Sequence, residues 1–184
     1  MPLPPTVERE EIHARQISMK AWRRVDGLFD VESHLVDTKA FAFQRVMPPE
    51  PVPAGQPLHD LWVRLVVDAD YTIHDVVAVS DTTPFAVCKE ATDTLKVLIG
   101  EKVGRGWTKL VRDRLGGRAS CTHLAEMLGP LATTTIQAVR GVLPAEVRFS
   151  PEQKQRQVDT CYAYDAGGEV VRTWWPQFAR TDRT

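Results

Sequence analysis

Hydrophobic and polar positions alternate between residues 12 and 25, with Ile17, Met19 and Ala21 on one side and Gln16, Ser18 and Lys20 on the other. That period of two predicts a half-buried strand. Asp26-Gly27 is a hairpin turn signal, and residues 28–36 return with Phe29, Val31, Ser33 and Leu35 on one face. Two further β-rich runs, 57–68 and 71–79, flank a polar turn at Ala69-Asp70 and predict a second antiparallel hairpin. The proline-crowded stretch 47–55 between the hairpins fits neither a helix interior nor a central strand and is expected to be a loop.

The period then changes. Thr82-Thr83-Pro84 is a helix start, and Phe85, Cys88, Ala91, Thr92, Leu95 and Leu98 or Ile99 recur at helical spacing, so a helix is expected over 84–99. A shorter helix over 106–115 stops at Gly116-Gly117, and a long one starts near Cys121 with Leu124, Leu128 and Leu131 on its apolar face. Gly129-Pro130 is expected to bend or break it. Ser150-Pro151-Glu152 is another helix start, and 161–164 with 169–174 across Asp165-Ala166-Gly167-Gly168 reads as a third hairpin. Strands first and helices after predict an α+β fold, an antiparallel sheet with helices packed on one face. At 184 residues the chain is most simply one domain. Its expected parts are a poorly ordered start at 1–11, an N-terminal hairpin at 12–46, a core at 56–141 and a C-terminal extension at 144–184.

Composition narrows the function classes. A formal net charge of -1 and a pI near 6.5 supply no field for nucleic acid or anionic lipid, so neither is an expected partner. The N-terminus lacks the apolar core of a signal peptide and no run is long enough to span a bilayer, so a cytoplasmic protein is expected. A small-molecule ligand is the expected partner, and a homo-oligomer is compatible with the composition. Three cysteines, Cys88, Cys121 and Cys161, form no dense disulfide pattern. At least one has a task other than pairing internally.

The candidate chemistry gathers at Cys121 and His123. A cysteine at a helix start meets unpaired N–H groups and the positive dipole end, which favour thiolate. On a regular helix two such residues point about 200° apart, so they converge only if Cys121 still belongs to the turn. His59-Asp60, at the start of a strand, offers a second imidazole and a carboxylate. Because neighbouring strand residues face opposite ways, only one of them need enter the site. Arg118, three residues ahead of Cys121, is placed to receive a substrate carboxylate.

Arg23 to Glu32, Asp37-Thr38-Lys39, Gly55 to Leu61, Pro84-Phe85 with Cys88, and Gly117 with Cys121-Thr122-His123-Leu124 together resemble a bacterial family known as domain of unknown function 2889. The likeness covers nearly the whole chain and carries no assigned activity. A fainter resemblance, over 61–139, is to iron–sulfur scaffold proteins of the NifU and IscU type. It implies a scaffold-like core with an added N-terminal hairpin and C-terminal extension, and places Cys88 and Cys121 near two scaffold cysteines. As soft or borderline groups, His59, Cys88, Cys121 and His123 suit zinc or iron. Without a metal, Cys121, His123, His59 and Asp60 suit nucleophilic and acid–base catalysis.

The leading expectation is a small cytoplasmic enzyme acting on a small polar or carboxylated metabolite through a Cys/His site, with or without a metal, by lyase, hydrolase or isomerase chemistry. One alternative is a non-catalytic metal, iron–sulfur or sulfur-handling protein. Another is a structural or partner-binding domain whose cysteines lie in the core.

Overall fold

The computed structural model describes residues 3–4, 7–45 and 50–180. The poor order expected over 1–11 falls partly on residues 1, 2, 5 and 6, outside those described; residue 46 of the expected hairpin and residues 47–49 of the proline loop also lie outside them. The chain divides into two compact units, Met1–Val139 and Arg140–Thr184.

The first unit is α+β. Four strands, β1 (Ala14–Arg23), β2 (Phe29–Thr38), β5 (Pro57–Val67) and β6 (Ile73–Thr82), form one antiparallel sheet in the order β1-β2-β5-β6. Both predicted hairpins are present, and β2 joins them by pairing with β5. Gly27, at φ 87°, sits in the left-handed region that the first turn requires. Ahead of the proline loop β3 (Phe43–Gln44) pairs with β4 (Pro51–Val52) inside it, a two-residue ladder short enough to accommodate Pro51 at its end.

The pleat separates two faces. Phe29, Val31, Ser33 and Leu35 of β2 lie opposite Val67, Leu65, Val63 and Leu61 of β5, and all are buried. They pack against Leu95, Leu98, Trp107, Leu115, Leu124, Met127, Leu128 and Leu131. The other face carries the exposed Trp22, Trp62, Val77 and Val79, with the His34 ring stacked on Trp62 at 3.7 Å. The edge strand β1 departs from expectation: only Ala14 and Met19 are partly covered, because the helices reach the sheet mainly over β2, β5 and β6.

The expected helix at 84–99 is a 3-10 helix, Ala86–Leu98. Its spacing of three puts the buried Leu95 and Leu98 in one row, and the hydroxyls of Thr92 and Thr94 bond the carbonyls three residues back. Helix α1 (Trp107–Leu115) follows, then a 3-10 turn (Gly117–Ala119) and α2 (Thr122–Val142). Pro130 neither stops α2 nor divides it: the helix is continuous through it, with the Thr133 and Thr134 hydroxyls donating to the Pro130 carbonyl. The Trp107 indole N–H donates to the Leu128 carbonyl at 2.8 Å, fixing α2 inside the core.

The second unit is helical where a third hairpin was expected. It contains α3 (Ala145–Arg148), α4 (Pro151–Gln157) capped by Ser150, a 3-10 turn (Tyr162–Tyr164) and α5 (Glu169–Trp174). Asp159, at φ 62°, accepts from the Ala166 N–H and from Arg180, which closes the 159–166 segment on itself instead of against a partner strand. Tyr164 stacks on Trp175 at 5.0 Å.

Candidate functional site

The buried row of β2 continues one step beyond Leu35 and ends on a carboxylate. Asp37 is 1% exposed. In register beside it stand Arg15 of β1 and His59 of β5, so three neighbouring strands present a guanidinium, a carboxylate and an imidazole side by side. The Arg15 Nε and Nη2 groups each donate to Asp37 at 2.7 Å, a bidentate pair. His59 Nδ1 lies 2.9 Å from Asp37 Oδ2, and His13 Nε2 lies 3.6 Å from Oδ1. Arg15 also donates through Nη1 to Glu126 at 2.5 Å, tying the edge strand to α2.

The first turn of α2 supplies the other half. Gly117 turns the chain at φ 62°, Ser120 is extended, and the Ala125 N–H bonds the Cys121 carbonyl at 3.0 Å, which makes Cys121 the cap of α2. Because Cys121 precedes the helix, its Sγ reaches His123 Nδ1 at 3.9 Å. The His123 ring in turn lies 3.9 Å from the His59 ring, centroid to centroid, tilted by 36°. Ligand atoms of Asp37, His59 and His123 all fall within 4.8 Å of one another.

Electrostatics separates these groups by proton affinity. Burial alone raises the Asp37 carboxyl, but the hydrogen bonds and charge of Arg15, helped by His59, bring it below its ordinary value. Burial and the neighbouring His123 lower His59 despite Asp37, so at neutral pH its imidazole is uncharged. Ionised Asp37 only accepts, so His59 carries its proton on Nδ1 and keeps a lone pair on Nε2. The hydrogen bond to His123 lowers the Cys121 thiol against the effect of burial, with the backbone N–H groups of Leu124 and His123 assisting. The same bond raises His123. The arrangement sets a thiol of lowered proton affinity and an imidazole of raised proton affinity beside a second imidazole backed by a carboxylate.

Of the residues singled out in the sequence, His59, Cys121 and His123 come together. Asp60 does not join them. It points to the opposite face, where it lies 2.7 Å from His34 Nε2, because strand neighbours alternate. Cys88 is half-buried on the 3-10 helix, and among the described residues neither it nor Cys121 joins the group of ligand atoms that His59 and His123 form with Asp37. Arg118 is exposed on the turn before Cys121, without a hydrogen bond or ion pair to another described residue. Asp37, Arg15 and Glu126 were not anticipated, although a signal existed: Asp37 and Arg15 each extend an inward-facing alternation, and opposite charges at the ends of two adjacent strands can pair.

A model of a protein family of unknown function, DUF2889, matches residues 13–137. No curated protein and no solved structure matches the chain. The likeness to iron–sulfur scaffolds finds no support in these comparisons. The family match begins at His13 and includes Arg15, Asp37, His59, Cys121, His123 and Glu126, so it spans the whole candidate site. The chain belongs to the DUF2889 family of proteins of unknown function.

Proposed function

We propose that the protein is a thiol-dependent enzyme that cleaves a small polar or carboxylated acyl compound, with Cys121 as nucleophile, His123 as acid and His59 as base. The observation that carries this reading is the Cys121–His123 pair set 3.9 Å, ring to ring, from the His59 imidazole that Asp37 hydrogen-bonds. Environments that push two imidazoles apart in proton affinity assign one to each role. The Cys121 thiolate adds to the carbonyl carbon, and the leaving group departs with the proton of the His123 imidazolium. N–H groups of the first turn of α2 stabilise the developing negative charge. His59 Nε2 then removes a proton from water, the hydroxide adds to the thioester carbon, and the thiolate is expelled. The carboxylic acid product returns a proton to His123, and His59 releases its own to solvent. Exposed Arg118 is proposed to receive a substrate carboxylate. Three free cysteines accord with a reducing, cytoplasmic setting, and among the described residues no helix is long and apolar enough to cross a membrane.

Iodoacetamide alkylation of metal-free protein, followed against pH with the modified residue identified by mass spectrometry, tests the proposal. Cys121 is expected to react well below the pH range of an ordinary thiol, and His123→Ala to return it to that range. With p-nitrophenyl acetate as a probe, His59→Ala is expected to accumulate the acyl-enzyme that the native protein clears. An ordinary thiol profile at Cys121 in the native protein would sink the reading.

A further inference from the structure

We propose that β1 is an interaction surface for a second copy of this chain, the two β1 strands pairing antiparallel about a two-fold axis so that the two four-stranded sheets join edge to edge.

The two edges of the sheet are finished differently. At β6 the ladder to β5 is interrupted near both ends, between Asp60 and Leu61 and between Val66 and Val67, and the Ile73 N–H and C=O are taken by Glu101 and Gly100. Bulges and a covering segment are devices that keep an edge from pairing further. Among the described residues β1 has neither. Its register with β2 runs from Ala14 to Arg23 without a shift, it contains no proline, and it is exposed along nearly its whole length. The Arg24 N–H donates to the Leu28 carbonyl, and antiparallel ladders alternate. Even-numbered residues from Ala14 to Trp22 therefore bond β2, while Arg15, Ile17, Met19, Ala21 and Arg23 turn their N–H and C=O groups to the open edge.

The same residues carry an uncovered apolar row. They lie on the side of the sheet that holds the helices, yet α2 reaches only as far as Met19, whose sulfur accepts from Thr134, and Ile17 is left 36% exposed beside it. Arg15, the inward charge of this row, is held by Asp37 and Glu126, and Lys20 belongs to the opposite face, so neither obstructs the edge.

Charge along the strand names the occupant. Glu8, Glu10 and Glu11 precede β1, Lys20 and Arg23 lie towards its end, and none of them has an ion pair with another described residue. Antiparallel pairing of two copies brings the acidic start of one against the basic end of the other. With Ile17 opposite itself across the axis, continued pairing sets Glu11 opposite Arg23 of the partner subunit. With Met19 on the axis, Arg15 would instead meet Arg23 of the partner subunit, so the Ile17 register is favoured.

The test is sedimentation of the full chain over a concentration series. A reversible equilibrium between the 20.7 kDa chain and a species of twice that mass is expected. Ile17→Pro removes an N–H that only the partner uses and leaves the bonds of β1 to β2 in place, so it is expected to raise the dissociation constant about tenfold or more. Ile17→Lys keeps the backbone and sets like charges on the axis; it is expected to do the same and decides the matter if the proline variant does not fold. Glu11→Arg and Arg23→Glu are each expected to weaken the dimer severalfold, and the two together to restore it. A chain that stays monomeric at submillimolar concentrations overturns the proposal. So does a dimer that persists in folded Ile17→Lys, which would put the interface on another surface such as the face of Trp62 and Val79. Failure of the double exchange to restore association overturns the antiparallel pairing. None of these outcomes depends on the chemistry of Cys121.

Discussion

Asp37 is buried and ionised, and stability should follow its protonation. Its carboxyl sits below the ordinary value of 3.8, so its contribution is complete above the unfolded value and lost as pH falls through the folded one. His59, lowered from 6.5, acts in the same direction over the window below 6.5. His123, raised from 6.5, acts oppositely: its contribution is present below 6.5 and lost as pH rises through the folded value. Urea midpoints of metal-free protein measured against pH are expected to fall through the lower acid step in the native chain. Asp37→Asn should remove that step and cost about 2 kcal/mol at neutral pH, since Arg15 then faces an amide. Ser33 predicts the opposite sign. Its hydroxyl is fully buried between Val31 and Leu35 with no hydrogen-bond partner among the described residues, so Ser33→Ala is expected to be neutral or to stabilise by up to about 1 kcal/mol in the same assay.

Among the elements, the strands were legible because alternation is a local signal that burial of one face enforces. Phe29, Val31, Ser33 and Leu35 announced β2, and following the same parity one step further would have reached Asp37. Asp60 was preferred because it adjoins His59 in sequence, whereas the pleat sends the two apart and gives His59 a carboxylate from another strand. Such a pairing depends on register, which no single run of residues states. The helix beginning after Cys121 was likewise legible, from Gly116-Gly117 and the leucine spacing, and with it the one geometry in which Cys121 and His123 converge. Less legible was the choice between α and 3-10 over Ala86–Leu98, since Leu95 and Leu98 satisfy both periods. The second unit misled because Asp165 to Gly168 carries turn chemistry that serves a hairpin or a helix start equally well. Gly116 shows how closely these elements are joined: a Cβ there would lie 2.3 Å from the Arg112 carbonyl oxygen. Gly116→Ala is expected to cost about 1–3 kcal/mol, read from denaturant midpoints, and to slow alkylation of Cys121 by displacing the turn that delivers it.

At the scale of the whole molecule, the family match ends at Gln137 and the first compact unit at Val139, so fold and candidate site share one boundary. A chain ending after Val142 is expected to unfold cooperatively and to keep the native pH profile of Cys121 alkylation; loss of either would assign the second unit a share in the first. The guanidinium that joins β1 to α2 has a consequence in time. Arg15 and Glu126 are separated by 111 positions, and Asp37 and His59 come from strands that must already be paired before the bridge can form. Contacts of that span are completed only after much of the chain has lost its freedom. The bridge from Arg15 to Glu126 is therefore expected to close only once the sheet is paired, and alkylation of Cys121 followed during refolding is expected to reach its native rate no earlier than the sheet forms.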